Sequence, residues 1–122
     1  MAQELSHEKM LEIIVKALDD KKAEDIRVIK VRDLTIIADY FVIAGASSNT
    51  QTRALADEVE YQLKEQAQTA PAQVQGNNGS NWIILDYHDV IVHVFHNEQR
   101  EFYSLERLWS DGEEIDISKW TK

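Results

Sequence analysis

WIILDYHDVIVHVFH, residues 82–96, decides the fold of this 122-residue chain. Two runs of aliphatic, β-branched and aromatic residues, 82–87 and 90–96, flank the polar pair His88-Asp89. Such runs around a two-residue polar break are typical of two antiparallel strands joined by a tight turn. The sequence therefore predicts a β-hairpin with His88-Asp89 at its tip.

Pairing across this hairpin sorts its side chains onto two faces, because residues directly opposite each other on paired strands share a face. One predicted face is almost wholly apolar and should be the core side; it carries Ile83, Leu85, Tyr87, Val90, Val92 and Val94. The other mixes large apolar groups with polar ones; it carries Trp82, Ile84, Asp86, Ile91, His93 and Phe95. We expect a partner site on this second face.

The segments before the hairpin alternate between helix and strand patterns. Apolar residues at helical spacing predict a first helix over residues 6–20, and alternation predicts an edge or near-edge strand over 25–31. A continuous apolar run at 40–44, stopped by Gly45, predicts a strand in the middle of a sheet. Ser48 followed by Gln51 matches the capping box and predicts the start of a second helix. The buried stripe predicted for that helix is Leu55, Ala56, Val59 and Leu63.

The rest of the chain predicts a short strand at 72–75, a loop at 76–81 and a last helix over 98–109. These elements predict one α/β domain, residues 1–110, in which helices pack on a mixed β-sheet. We expect the acidic remainder, residues 111–122, to be a mobile tail.

The charge and composition of the chain limit the classes of function that it can have. A formal charge of −9 predicts little direct binding to nucleic acids, which bind chiefly through cations, and would favour a basic protein partner. No apolar run approaches the roughly 20 residues of a membrane helix, and the N-terminus has no signal-peptide pattern, so we expect a cytoplasmic protein. The chain has no cysteine, which excludes disulfides and thiolate metal sites.

The acidic and histidine residues of the hairpin form no catalytic pattern. His93 and His96 have an odd offset, which sends their imidazoles to opposite faces of a strand. Asp86 and Asp89 are three residues apart, with Asp89 in the turn, whereas paired magnesium ligands on a strand lie two residues apart. We therefore expect no catalytic residue, metal site or cofactor. A magnesium-dependent nucleotidyltransferase is the alternative, and it would require Asp86 and Asp89 to converge on one ion.

Trp82, at the entry of the hairpin, has two interpretations. It could pack in the core against Phe95, or it could anchor another protein, because aromatic residues dominate interface hot spots. A further alternative is a self-associating scaffold, in which a sheet edge and an exposed tryptophan drive a homodimer.

Four stretches, in this order and spacing, resemble the signatures of the Iojap family of ribosomal silencing factors. They are DYFVI at 39–43, SSNTQ at 47–51, WIILDYHDVIVHVF at 82–95 and REFYSLERLW at 100–109. The similarity covers about residues 8–110. It implies a nucleotidyltransferase-like topology without transferase activity.

The resemblance also implies a partner and a mechanism. Members of the family bind ribosomal protein fourteen of the large ribosomal subunit, at the face that meets the small subunit, and so block joining of the subunits and repress translation. The family's contact residues map onto Trp82 and Tyr87, and Asp86 and Asp89 would suit a basic partner. Two residues depart from the family pattern. His88 stands where glycine is common, which predicts either a wider turn or a positive φ, and Tyr87 replaces a more usual leucine.

Overall fold

The computed structural model describes residues 7–76, 81–97 and 111–121, and eight helices and strands follow one another along these residues. They are α1 (His7–Asp20), β1 (Glu24–Lys30), β2 (Tyr40–Ala46), α2 (Asn49–Ala67), β3 (Gln73–Gln75), β4 (Trp82–Asp86), β5 (Val90–His96) and β6 (Glu113–Glu114). The predicted helices and strands before residue 97 are all present. The predicted helix over 98–109 lies outside the described residues.

The described strands form one mixed sheet in the order β3-β4-β5-β2-β1-β6. The pairing of β2 with β5 is parallel, whereas the other pairings are antiparallel. The predicted positions are confirmed, since β2 lies in the middle of the sheet and β1 lies next to its edge. The chain thus forms a single α/β domain.

The register of the hairpin agrees with the sequence prediction. Trp82 pairs with Phe95 at its open end and Asp86 pairs with Ile91 near its turn. All the residues assigned to the core side lie in the core between the sheet and the helices, to which α1 and α2 both contribute. Burial of these apolar faces, at about 25 cal/mol per Å² of area removed from water, is the main stabilisation of the fold.

The opposite face of the sheet holds a second apolar cluster. Its buried members are Ile29, Val31, Ala38, Phe41, Ile43, Ile91 and Phe95, with Trp82 and Ile84 packed against them. Gly45 pairs with Phe95 within the sheet, so this glycine does not stop β2 as the sequence predicted. A residue without a side chain opposite the phenylalanine leaves room for the ring, and the strand continues to Ala46.

The start of α2 shows the predicted cap with one change. The Ser48 hydroxyl accepts a hydrogen bond from the Gln51 amide at 3.0 Å. The Gln51 side chain reaches back to the amide of Ser47, at 2.7 Å, one residue earlier than in a regular capping box. The predicted stripe of α2 is buried.

The C-terminal segment differs from the mobile tail that the sequence predicted. β6 pairs with β1, and the Ile115 amide donates a hydrogen bond to the Val28 carbonyl at 2.8 Å. Trp120 is only 8% exposed and packs in the core on the helical side of the sheet. The prediction weighed the acidic composition and missed the apolar residues Ile115, Ile117 and Trp120, which dock the segment.

None of the helices in the described residues is long and apolar enough to cross a membrane.

Candidate functional site

The turn of the hairpin brings three of the four predicted site residues to one end of the sheet. The Tyr87 amide donates to the Val90 carbonyl at 2.9 Å, and the Asp89 amide donates to the Tyr87 carbonyl at 3.0 Å. His88 has a φ of 72°, which is the second of the two alternatives expected at a position where glycine is common. An Asp86 carboxylate oxygen accepts a hydrogen bond from the His88 amide at 2.8 Å, which stabilises the turn.

The turn is joined to the start of β2. The Asp89 carbonyl accepts hydrogen bonds from the amides of Asp39 and Tyr40, at 2.8 and 3.0 Å. The Nε2 atom of His7, at the start of α1, lies 3.2 Å from Asp89 Oδ2 and 3.5 Å from Asp39 Oδ2. Three elements that are distant in the sequence therefore place two carboxylates and an imidazole together.

His7, Asp39 and Asp89 are close enough to hold a metal ion, since their ligand atoms lie within 4.8 Å of one another. The sequence pointed to His93 with His96 and to Asp86 with Asp89 as possible ligand pairs, and it did not indicate this cluster. Arg32 Nη2 lies 3.9 Å from Asp39 Oδ2, so one carboxylate already faces a fixed cation. Exposed acidic groups are common without a bound ion, so we assign no metal to this cluster.

Asp86 and Asp89 have different partners in this structure. Asp86 caps the turn through the His88 amide, whereas Asp89 faces His7. The convergence of these two carboxylates that a magnesium-dependent nucleotidyltransferase would require is therefore not favoured. Asp89 is the more accessible, with 66% of its side chain exposed.

Trp82 lies at the opposite end of β4 and combines packing with partial exposure. Its ring stacks on that of Phe95, with centroids 4.7 Å apart and planes inclined by 28°. Its indole N–H donates to Nδ1 of His93 at 3.3 Å. Phe95 is fully buried and Trp82 is half-buried, so the indole has one packed face and some accessible surface. Both interpretations of Trp82 thus describe part of its environment.

His93 is the polar centre of this face. Because Nδ1 accepts from Trp82, the proton of the neutral imidazole is assigned to Nε2. That nitrogen is buried without a hydrogen-bond partner in the described part of the chain. Burial lowers the pKa of His93 to about 4, so the imidazole is neutral at pH 7. Half of the second face is buried, namely Ile91, His93 and Phe95, whereas Trp82, Ile84 and Asp86 are partly exposed.

Tyr87 contributes mainly from inside the molecule. Its side chain lies in the core on the helical side and the residue is 7% exposed. Burial raises the pKa of its phenol well above the usual range, and the negative charge of Glu60 adds to this effect. Little of the ring is open to a partner, and Tyr87 holds the turn from beneath.

The structure separates Trp82 from the other predicted site residues. Four residue steps along a strand place Trp82 about 13 Å from Asp86. Trp82 also lies on the opposite face of the sheet from Tyr87. A partner that contacts both Trp82 and the turn must therefore extend along the hairpin.

Comparisons with known proteins agree with this architecture. The chain matches the protein family described as "Ribosomal silencing factor during starvation" over residues 4–122. The ribosomal silencing factor RsfS of Halalkalibacterium halodurans is 34% identical over 113 residues, which are 93% of this chain and 96% of that protein. The chloroplastic Iojap protein of Zea mays is 34% identical over 105 residues, 85% of this chain and 45% of that protein.

Solved structures support the same relationship. The crystal structure of a protein from Chromobacterium violaceum aligns with a TM-score of 0.83 and 29% sequence identity, covering 93% of each chain. The matched family and the names of the relatives point to a ribosomal silencing factor, which is a class of regulatory protein. The chain belongs to the family of ribosomal silencing factors. The resemblance to the Iojap family is thereby confirmed.

Proposed function

We propose that this chain binds ribosomal protein fourteen of the large ribosomal subunit and thereby prevents the small subunit from joining. The observation that carries the proposal is the family match over residues 4–122. In this mechanism the bound protein occupies a surface that the small subunit needs, so translation is repressed by steric exclusion. The activity requires no reaction, cofactor or metal ion, and its place is the cytoplasm.

The charge of the protein supports a basic partner. The chain has a formal charge of −9, Asp89 is exposed at the tip of the hairpin, and Asp86 is partly exposed at the end of β4 beside it. Complementary charges speed encounter and fix the orientation of docking. We assign Asp86 and Asp89 to contacts with basic groups of the partner. Tyr87 supports the turn from the core side of the sheet.

Trp82 is proposed as the apolar anchor of the same interface. Its ring is held by Phe95 and by the hydrogen bond to His93, so little conformational freedom would be lost on binding. Its partial exposure leaves area for a partner, and rigid aromatic groups are frequent hot spots.

Co-sedimentation with separated ribosomal subunits tests the proposal. We expect the wild-type protein to sediment with the large subunit and not with the small one, and to reduce formation of joined ribosomes. Failure to bind the large subunit would refute the proposed function. Binding without any effect on joining would refute the steric mechanism.

Trp82→Ala tests the anchor. We expect large-subunit binding to weaken by about 2 kcal/mol, roughly 30-fold. Because the indole also packs on Phe95, the melting temperature of the variant is measured first to show that it folds. Trp82→Phe serves as a control that retains an aromatic ring. A folded Trp82→Ala protein with wild-type affinity would remove Trp82 from the interface.

A further inference from the structure

The loop between β1 and β2, residues 31–39, concentrates exposed apolar side chains. Leu34, Ile36 and Ile37 are 44%, 105% and 63% exposed. Elsewhere in the described residues, the exposed large apolar side chains are Tyr61 and Val74, which lie on different elements. Exposed apolar residues scattered singly are normal, but three within four residues form a patch that marks an interaction site.

Hydrogen bonds fix the shape of this loop. The Val31 amide donates to the Asp39 carbonyl at 2.8 Å and closes the loop at its base. Within it, the Leu34 amide donates to the Val31 carbonyl at 2.8 Å, and the Ile37 amide donates to the Thr35 hydroxyl at 3.2 Å. A loop held in this way presents its apolar side chains with little further ordering on binding, which favours affinity.

The loop is continuous with the acidic turn of the hairpin. Its last residue, Asp39, donates its amide to the Asp89 carbonyl, so the apolar patch and the turn lie at the same end of the sheet. Asp33 and Asp39 border the apolar residues within the loop, Asp89 is joined to Asp39 through the backbone, and Arg32 faces the Asp39 carboxylate. An apolar centre with an acidic border is complementary to an apolar patch with a basic border.

We propose that the apolar loop, through Leu34, Ile36 and Ile37, docks on an apolar patch of a basic protein surface of the large ribosomal subunit. This inference rests on the proposed function and adds a second contact region to it, next to Asp86 and Asp89. The apolar side chains supply most of the affinity, and the flanking carboxylates orient the docking.

The test measures equilibrium binding of purified large subunits to Ile36→Ser. Because Ile36 is fully exposed, the substitution should leave the melting temperature unchanged. We expect the dissociation constant to rise at least about 10-fold, as for loss of an interface hot spot. Val74→Ser and Tyr61→Ser remove exposed apolar groups elsewhere and should bind like wild type.

The outcomes separate this inference from the proposed function. If wild type binds large subunits and Ile36→Ser binds equally well, the loop is not a contact, although the proposed function stands. If wild type does not bind, both are refuted. Sedimentation velocity could show that the wild type is a dimer and that Ile36→Ser is a monomer with unchanged affinity for the large subunit. In that case the loop docks on a second copy of the chain and the inference is overturned.

The absence of cysteine allows the partner of the loop to be trapped directly. Ile36→Cys introduces a single thiol that can carry a photoreactive maleimide, and Val74→Cys is the matched control. Illumination in the presence of large subunits should attach the Ile36→Cys protein to one basic ribosomal protein, while Val74→Cys yields no such product. Cross-linking of Ile36→Cys to ribosomal RNA alone would contradict the inference.

Discussion

His93 shows how one buried side chain can support a neighbouring surface residue. Its Nδ1 atom accepts the indole N–H of Trp82, while its ring lies 5.1 Å from that of Phe41, edge to face. Burial keeps the imidazole neutral by lowering its pKa to about 4. A proton on Nδ1 would remove the acceptor and place a charge in an apolar setting.

The pH dependence of stability follows from this lowered pKa. Between pH 6.5 and about 4 the unfolded chain binds a proton at His93 and the folded chain does not, so stability is lost as the pH falls through this window. The shift corresponds to about 3 kcal/mol. Urea unfolding at pH 7, 5.5 and 4.5 should therefore show a smaller loss for His93→Gln than for wild type. His96→Gln is the control, and equal losses in wild type and His93→Gln would contradict the assignment.

Residue-level prediction from the sequence succeeded where strand alternation applies. Alternation along the strands placed Trp82 and Tyr87 on opposite faces. The positive φ of His88 was one of two alternatives that the family resemblance left open. The contact of His7 with Asp89 could not be predicted, because it joins residues 82 positions apart and depends on the placement of α1. The one available signal was that Asp39 directly precedes a strand next to the hairpin.

At the scale of elements, the N-terminus of α2 links a local cap to tertiary structure. The Gln51 side-chain oxygen accepts from the Ser47 amide. The side-chain nitrogen Nε2 of Gln51 lies 3.4 and 3.3 Å from the carbonyl oxygens of Lys21 and Lys22, which follow α1. Ser48 provides the cap itself. The sequence predicted the cap because its residues are adjacent, but the bridge to the end of α1 depends on how the helices pack.

Removal of the cap should have a measurable cost. Ser48→Ala deprives the Gln51 amide of its acceptor and should lower the free energy of unfolding by about 1 kcal/mol. Ser48→Asp is the control, since aspartate also caps helices and should retain most of the stability. Urea denaturation at pH 7 measures both, and a wild-type midpoint for Ser48→Ala would show that the cap contributes nothing.

The C-terminal segment is the element that sequence analysis misjudged. Residues 111–122 include four acidic side chains, which favoured a tail, yet their three apolar residues reach the sheet and the core. The docking depends on the edge of β1, with which β6 pairs, and on the core residues around Trp120, and neither is visible in the segment's own sequence.

Trp120→Ala tests this docking. Truncation of a buried tryptophan should cost about 3 kcal/mol of stability. Lys119→Ala, which removes an exposed ion pair with Glu8 and a contact with the Trp120 ring, should cost less than about 1 kcal/mol. Chemical denaturation compares the two variants. A Trp120→Ala protein as stable as wild type would mean that the segment is not packed in solution.

At the scale of the whole molecule, the charge of −9 acts in two opposite directions on a ribosome. It attracts a basic ribosomal protein, but it repels the phosphates of ribosomal RNA. The proposed site reconciles these effects if the carboxylates at one end of the sheet meet a basic protein surface while the rest of the molecule stays away from RNA. Salt should therefore have different effects on the association of the chain with purified ribosomal protein fourteen and on its association with the intact large subunit.

Association rates measured by stopped flow test this reasoning. With purified ribosomal protein fourteen, the rate constant should fall at least about 10-fold between roughly 50 and 300 mM salt, because added ions screen the attraction. With whole large subunits the fall should be smaller, since salt also screens repulsion by RNA. The double variant Asp86→Asn/Asp89→Asn should reduce the salt dependence of the association rate with purified ribosomal protein fourteen. The control Asp57→Asn/Glu65→Gln removes the same charge from exposed positions on α2 and should reduce it less. Equal slopes for the two double variants would show that the net charge, and not the hairpin tip, guides the encounter.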